Sequence, residues 1–254
     1  MDWDIREGVS RELFKTPFLK IGRKKLEYYG DFLIKADNRL HDQVFSLLSA
    51  RVPPPARVLD FGAGEGSLSQ RLADAGYEVL SVDIDPTHFK ATTDFEVLDF
   101  DDQDQMRDFR IRHCGEFDAV LSVEIVEHLE NVKTYLQTAA ALSKPGASIV
   151  LSTPNVTSWL SRVTFYFAGT PRGFMEDDFQ TMGHINPISS SELERLLGNA
   201  GWLVRQVVSG GLLPRLWITR SPALLVANAL GVLSYPFMKG LKDGWCVIAV
   251  GSLI

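Results

Sequence analysis

The sequence is poor in three things. It has two cysteines, Cys114 and Cys246, far apart and without the spacing of a metal cluster or redox pair. That excludes a disulfide scaffold and fits a reducing cytoplasm. It has no surplus of positive charge: 26 lysines and arginines face 32 acids, a net charge of −6. A general nucleic-acid binder should carry a basic face, so no nucleic acid is expected as a partner. The one basic run, Arg23-Lys24-Lys25, reads as a solvated helix face. Finally, it has no unbroken apolar stretch of membrane-spanning length. Residues 221–238 lack charge, but Pro222, Asn228, Gly231, Ser234 and Pro236 interrupt them, and a spanning helix needs about 20 apolar residues. They read as a buried hairpin of helices or a surface that touches lipid. The acidic start, Met1-Asp2-Trp3-Asp4, is unlike a secretory signal.

What is present suffices for one sizeable core. The chain has 254 residues, 45% of them hydrophobic, with 15 Phe, 6 Tyr and 5 Trp, which excludes disorder of the whole. Residues 1–50 read as amphipathic helices, through Phe14, Leu19, Ile21 and Leu26, then Leu40, Val44 and Leu47. This predicts a helical cap over 1–52, closed by Val52-Pro53-Pro54-Pro55. From Arg57 the pattern alternates. Short apolar runs at Val58–Phe61, Glu78–Val82, Phe95–Leu98, Phe117–Ser122, Ser148–Ser152, Trp202–Val208 and Cys246–Val250 read as strands. Ser67–Ala75, Val132–Leu142 and Ser190–Ala200 read as helices, the last opened by Ser189 with Glu192 at capping-box spacing. Such alternation predicts an α/β, doubly wound, mainly parallel sheet covered on both faces, over 53–254. An aromatic-rich lid at 154–188 and a helical excursion at 212–240 interrupt it.

Asp60-Phe61-Gly62-Ala63-Gly64-Glu65-Gly66 joins the first of these strands to its helix. Glycines there let a ligand approach the backbone. Asp83, at the end of the second strand, is placed to bond a ribose diol. The dinucleotide fingerprint is G-x-G-x-x-G, whereas this loop reads G-x-G-x-G and carries Asp60 and Glu65. Two carboxylates would repel a pyrophosphate and attract the cationic sulfonium and ammonium of S-adenosylmethionine (SAM). Spacing and charge both favour SAM over NAD.

With those residues on the page, the chain resembles the class I SAM-dependent methyltransferases. Val58 to Gly66 is similar to their first motif, Val82-Asp83 to their ribose acid, Phe117 to Ser122 to their fourth-strand motif, and Leu142 to Ser148 to the turn into their fifth strand. The resemblance implies a Rossmann-like, seven-stranded sheet with one antiparallel edge strand. It implies contacts from Asp60, Gly62, Gly64, Ile84 and Val123 to the cofactor, from Asp83 to its ribose, and from Asp99 and Phe100 around its adenine. For Asp60 a capping role and for Asp99 a solvated acidic loop are the plainer alternatives.

Glu124-Ile125-Val126-Glu127-His128 follows the fourth strand at the carboxyl edge of the sheet, where open α/β sheets bind ligands. As a helical turn it would set Glu124, Glu127 and His128 on one side, a donor set that suits a divalent cation. The pattern, followed by Thr153-Pro154-Asn155 and later His184, resembles the ubiquinone-biosynthesis O-methyltransferases and the small-RNA 2′-O-methyltransferases. The resemblance implies Mg²⁺ or another divalent cation on Glu124, Glu127, His128 and His184, lowering the pKa of an acceptor hydroxyl. His128, with Glu127, acting as a metal-free base or pocket wall stays open beside it. The expected reaction is O-methylation of a small-molecule, glycan or lipid-linked acceptor; an N- or C-methyltransferase without metal, or a non-catalytic SAM-binding subunit, is the alternative. The expected location is the cytoplasm, with peripheral contact at the inner face of the membrane through 221–238. His41, His88 and His113 receive no role.

Overall fold

The computed structural model describes residues 9–22, 26–218 and 221–254; Met1 to Asp4 and the Arg23-Lys24-Lys25 run lie outside them. Seven strands form the central sheet: β4 (Arg57–Phe61), β5 (Glu78–Asp83), β6 (Asp94–Val97), β7 (Phe117–Val123), β8 (Ser143–Pro154), β9 (Trp202–Gly210) and β11 (Cys246–Leu253). Their order is β6-β5-β4-β7-β8-β11-β9. The crossovers are α2 (Ser67–Asp74), α3 (Gln103–Arg112), α4 (Val132–Leu142) and α7 (Ser190–Asn199). The order turns around between β4 and β7, and open sheets of this kind place ligands at that reversal. The antiparallel strand corrects one expectation. It is β11, and it lies between β8 and β9, antiparallel to both, so the edge belongs to β9.

Each face carries its own apolar layer. Phe61, Phe109, Tyr135, Leu136 and Trp202 lie in one; Leu40, Val44, Leu72 and Ile248 lie in the other. The central strands β4 and β8 are buried along nearly their whole length, as strands covered on both faces should be. The Tyr135 hydroxyl donates to the Phe61 carbonyl oxygen at 2.7 Å and lies 2.9 Å from the Ser122 hydroxyl, so α4 anchors the strand ends that carry the loops.

The cap over 1–52 is not helical throughout. Only α1 (Leu40–Ser49) is an α-helix among its described residues; Arg11–Phe14 is one 3₁₀ turn, and β1 (Leu19–Ile21), β2 (Glu27–Tyr29) and β3 (Phe32–Ile34) are strands. The aromatic pair Tyr29 and Phe32 flanks a two-residue Gly30-Asp31 turn and zips β2 to β3, a local preference that outweighs the apolar spacing. The excursion after residue 212 also mixes types. β10 (Leu216–Ile218) pairs in parallel with β1, and then α8 (Pro222–Ser234) packs on α5 (Trp159–Ala168). A Cβ on Gly231 would stand 2.4 Å from the Trp159 ring, which is how closely the two helices meet. The lid stretch consists of α5 and α6 (Glu176–Met182). Among the described residues no helix is long and apolar enough to cross a membrane.

Candidate active site

The loops after β4, β5 and β7 open onto one cavity of about 660 Å³. Gly62, Gly64, Asp83, Val123, Glu124, His128 and His184, all singled out in the sequence, line it together. On the donor side, the Gly64 N–H donates to Asp83 Oδ2 at 2.8 Å. The N–H groups of Gly62 and Ala63 donate to the Val82 carbonyl oxygen, and that of Gly66 to Ala63. Four amides of the loop are thus consumed inside the protein, and a diphosphate needs such amides free. Gly62 and Gly64 both have positive φ, and a Cβ on Gly64 would project into open space. A carboxylate at the end of β5 beside a bare glycine backbone fits a nucleoside sugar and its substituent, so the residues present fit SAM.

Some expected cofactor residues lie elsewhere. Asp60 is fully buried below the loop, where its Oδ2 accepts the Ser69 hydroxyl at 2.6 Å; it braces α2 and is not on the cavity wall. Burial, with a smaller push from Asp83, raises its pKa to about 6. Glu65 is on the wall, but Lys35 and Lys90 hold it at 3.0 and 2.7 Å. Its charge is therefore compensated, which weakens the argument from acids in this loop. Ile84 is exposed, Asp99 accepts the Asp101 N–H at 3.0 Å, and Phe100 packs on Phe61 and Tyr135; none of the three lines the cavity. The acidic stretch is a loop as far as Asp102, which then caps α3, its side chain accepting from the Asp104 and Gln105 N–H groups.

The acceptor side also departs from expectation. Residues 124–128 do not form a helical turn. Glu124 takes a left-handed φ of 56° and its N–H donates to the Ser152 carbonyl oxygen, so the i, i+3, i+4 face never forms. Its carboxylate accepts the Ser152 hydroxyl at 2.8 Å and the Cys246 thiol at 3.3 Å, and it groups with Asp37 and Cys246. Burial between these two acids pushes the Cys246 thiol up. The expected quartet is therefore split.

Glu127, His128 and His184 do gather, their ligand atoms within 4.8 Å of one another. Glu127 is fully buried. Thr153 donates to its Oε2 at 3.1 Å, while Oε1 has no hydrogen-bond partner among the described residues and stands 4.0 Å from His128 Nε2. Burial and then Glu124 push its pKa well up. His184 Nδ1 lies 2.6 Å from the Gly173 carbonyl oxygen, which can only accept, so Nδ1 is the donor and Nε2 is the ring nitrogen left to face a ligand. The His184 and His128 rings are 4.8 Å apart. Burial, then His184, lowers the His128 pKa. An orphaned carboxyl oxygen beside two imidazoles, one oriented by a backbone carbonyl, fits a divalent cation. Asn155, two residues after Thr153, is structural: buried, it donates to the Leu241 and Asp243 carbonyl oxygens and ties β8 to the approach to β11.

Lys35, Asp37, His41, Trp217 and Trp245 also line the cavity and carried no signal in the sequence. All come from the segment before β4 or the one between β9 and β11, where no motif marks them. His41 Nδ1 lies 3.3 Å from the Ser67 hydroxyl, and burial, then Arg71, lowers its pKa to about 4.

The fold, the loop and the reversal in strand order together define a Rossmann-like SAM-dependent methyltransferase architecture. The chain belongs to the methyltransferase-domain family, whose profile matches residues 33–207. A ubiquinone biosynthesis O-methyltransferase of Xanthomonas axonopodis pv. citri (strain 306) is 35% identical over 116 residues, 43% of this chain and 48% of that protein. One from Rhizobium etli (strain ATCC 51251 / DSM 11541 / JCM 21823 / NBRC 15573 / CFN 42) is 30% identical over 169 residues, 60% of this chain and 62% of that protein. The chain thus spans about half the length of the first of these relatives. In structure it is similar to a SAM-dependent methyltransferase from Archaeoglobus fulgidus, with a TM-score of 0.55 and 19% identity over 84% of this chain and 94% of that one.

Proposed function

We propose that this chain transfers the methyl group of SAM to an oxygen of a small-molecule, glycan or lipid-linked acceptor, with a divalent cation held by Glu127, His128 and His184. SAM, when bound, supplies an electrophilic methyl on a sulfonium; the cation, when bound, would supply a positive charge that stabilises an acceptor oxyanion. The observation that carries the reading is Glu127 Oε1, fully buried, without a hydrogen-bond partner among the described residues, beside two imidazoles on the wall that also bears Asp83. The names of the curated relatives support oxygen as the atom methylated.

The chain's own residues divide the work. Asp83 and Gly64 hold the sugar end of the cofactor, and the four loop amides already turned inward are lost to a phosphorylated competitor. His128 and His184 line the cavity, where their rings would take a cation or, without one, a proton from the acceptor. Pro154, Trp217 and Trp245 wall the space, and fixing donor and acceptor there at attack distance supplies much of the rate. The test is methyl transfer from isotopically labelled SAM to a panel of vicinal dihydroxy compounds. O-methyl products that vanish with a chelator and return with Mg²⁺ support the reading. Transfer untouched by chelator and by Glu127→Gln removes the cation from it. No SAM binding at all removes the function.

A further inference from the structure

We propose that the methyl acceptor carries an anionic group, a carboxylate or a phosphate, and that Arg172 holds it. The proposal rests on the methyl-transfer reading and narrows its acceptor. Residues 173–184 form a collar around the histidine pair. The Gly173 carbonyl oxygen accepts from His184 Nδ1, the Phe174 ring lies 5.4 Å from the His184 ring, and a Cβ on Gly183 would stand 3.7 Å from His128 Nδ1. Arg172 opens this collar, one residue before the carbonyl that fixes His184. It sits in a closed turn: the Phe174 N–H donates to the Pro171 carbonyl oxygen at 3.2 Å, with Gly173 at a φ of +91° between them. The Arg172 N–H donates to the hydroxyl of Ser161, a buried residue of α5, at 3.0 Å. The backbone that carries the side chain is therefore fixed on both sides.

The charge itself is unmet. Arg172 is exposed on the cavity wall, and among the described residues its guanidinium has no hydrogen bond, ion pair or ring contact. The other charges of the wall are accounted for. Lys35 is ion-paired with Glu65 at 3.0 Å beside the glycine loop. Asp37 and Glu124 gather on Cys246. Asp178, the acid nearest to Arg172 in sequence on this wall, accepts the Met175 N–H at 3.0 Å instead. An arginine presents its donors as a planar fork that matches the two oxygens of a carboxylate or phosphate. A cleft with one uncompensated charge also raises the local concentration of ligands of the opposite sign. A neutral acceptor has no use for such a group, whereas an anionic one would be held by it at one end and by the histidine group at the other. That second hold would orient the acceptor and decide which of two neighbouring hydroxyls meets the methyl.

The test gives the full chain, with SAM and Mg²⁺, three acceptors: 3,4-dihydroxyphenylacetate, (3,4-dihydroxybenzyl)phosphonate and the neutral 3,4-dihydroxyphenylacetamide. In each a methylene insulates the ring hydroxyls from the end group. Wild type should favour an anion over the amide by about tenfold in kcat/KM, and less so at high salt. Which anion leads tells carboxylate from phosphate. Arg172→Gln should erase the preference through the KM of the anion and even out the two ring-methylated products. Arg172→Lys, which keeps the charge and loses the fork, should restore part of both. A wild type that treats anions and amide alike overturns the proposal, as does an Arg172→Gln chain that keeps the preference. So does an Arg172→Gln chain whose affinity for S-adenosylhomocysteine falls with it, since Arg172 would then serve the carboxylate of the donor. Calorimetry of the three compounds on the chain loaded with S-adenosylhomocysteine separates this proposal from the reading beneath it. Arg172-dependent binding of an anion without methyl transfer to any compound would sink the methyl-transfer reading and keep the anion site. Methyl transfer with no Arg172-dependent binding of either anion would do the reverse.

Discussion

Asp60 sits under the glycine loop with its carboxyl fully buried and one hydrogen bond, from Ser69, to hold it. Its pKa is about 6 in the fold against an ordinary 3.8. The sign of the consequence follows from which state loses the proton first. As pH rises past 3.8 the unfolded chain gives up the proton while the folded chain still holds it. Stability from this group is thus complete below about 4 and is lost progressively until pH passes 6. Two units at 1.36 kcal/mol each make the loss about 3 kcal/mol. The substitution Asp60→Asn keeps an acceptor for Ser69 and removes the ionisable group. The variant should therefore gain on the wild type by about 3 kcal/mol between pH 4 and pH 7.5, roughly 6–12 °C in melting temperature for a chain of this size. The comparison is a difference of differences, so groups that titrate alike in both proteins cancel. Thermal melts at the two pH values decide it. A gap that does not change with pH would refute the reasoning, because Asp60 would then be as ionised in the fold as outside it.

Three further outcomes are expected. Asp83→Ala should weaken binding of S-adenosylhomocysteine at least tenfold by calorimetry, since it deletes both the sugar contact and the Gly64 anchor. Glu127→Gln should abolish any response of activity to Mg²⁺ while leaving the affinity for S-adenosylhomocysteine near wild type, because Glu127 lies in the histidine group and not in the glycine loop. Gly231→Val should cost about 1–3 kcal/mol in urea unfolding, because the new side chain enters the Trp159 ring and forces α8 off α5.

The seven sheet strands could be read directly, because each is a short apolar run between glycine or polar breaks, and the inner ones, β4 and β8, are buried on both faces. The glycine loop and Asp83 were legible for the same reason that makes them useful: a bare backbone followed by an acid at fixed distance has few structural explanations. Glu124 was misread because helical spacing was assumed where one left-handed residue redirects the chain. Glu65 was misread because its partners, Lys35 and Lys90, lie 30 and 25 residues away and only the fold makes the charge neutral. The N-terminal strands were hidden by apolar spacing that suits either structure, until the Gly30-Asp31 turn chose between them. His41, Trp217 and Trp245 reach the cavity through tertiary structure alone, so no local pattern could announce them.

The central claim is that one cavity holds the sugar of the methyl donor at Asp83 and presents its sulfur to the histidine pair. A crystal structure of the chain soaked with S-adenosylhomocysteine measures this directly. Density for the ribose hydroxyls against Asp83, with the sulfur turned toward His128 and His184, is the result this account predicts. Density for the ligand outside this cavity, or an NAD diphosphate taken up on the Gly62–Gly66 loop in its place, would contradict it.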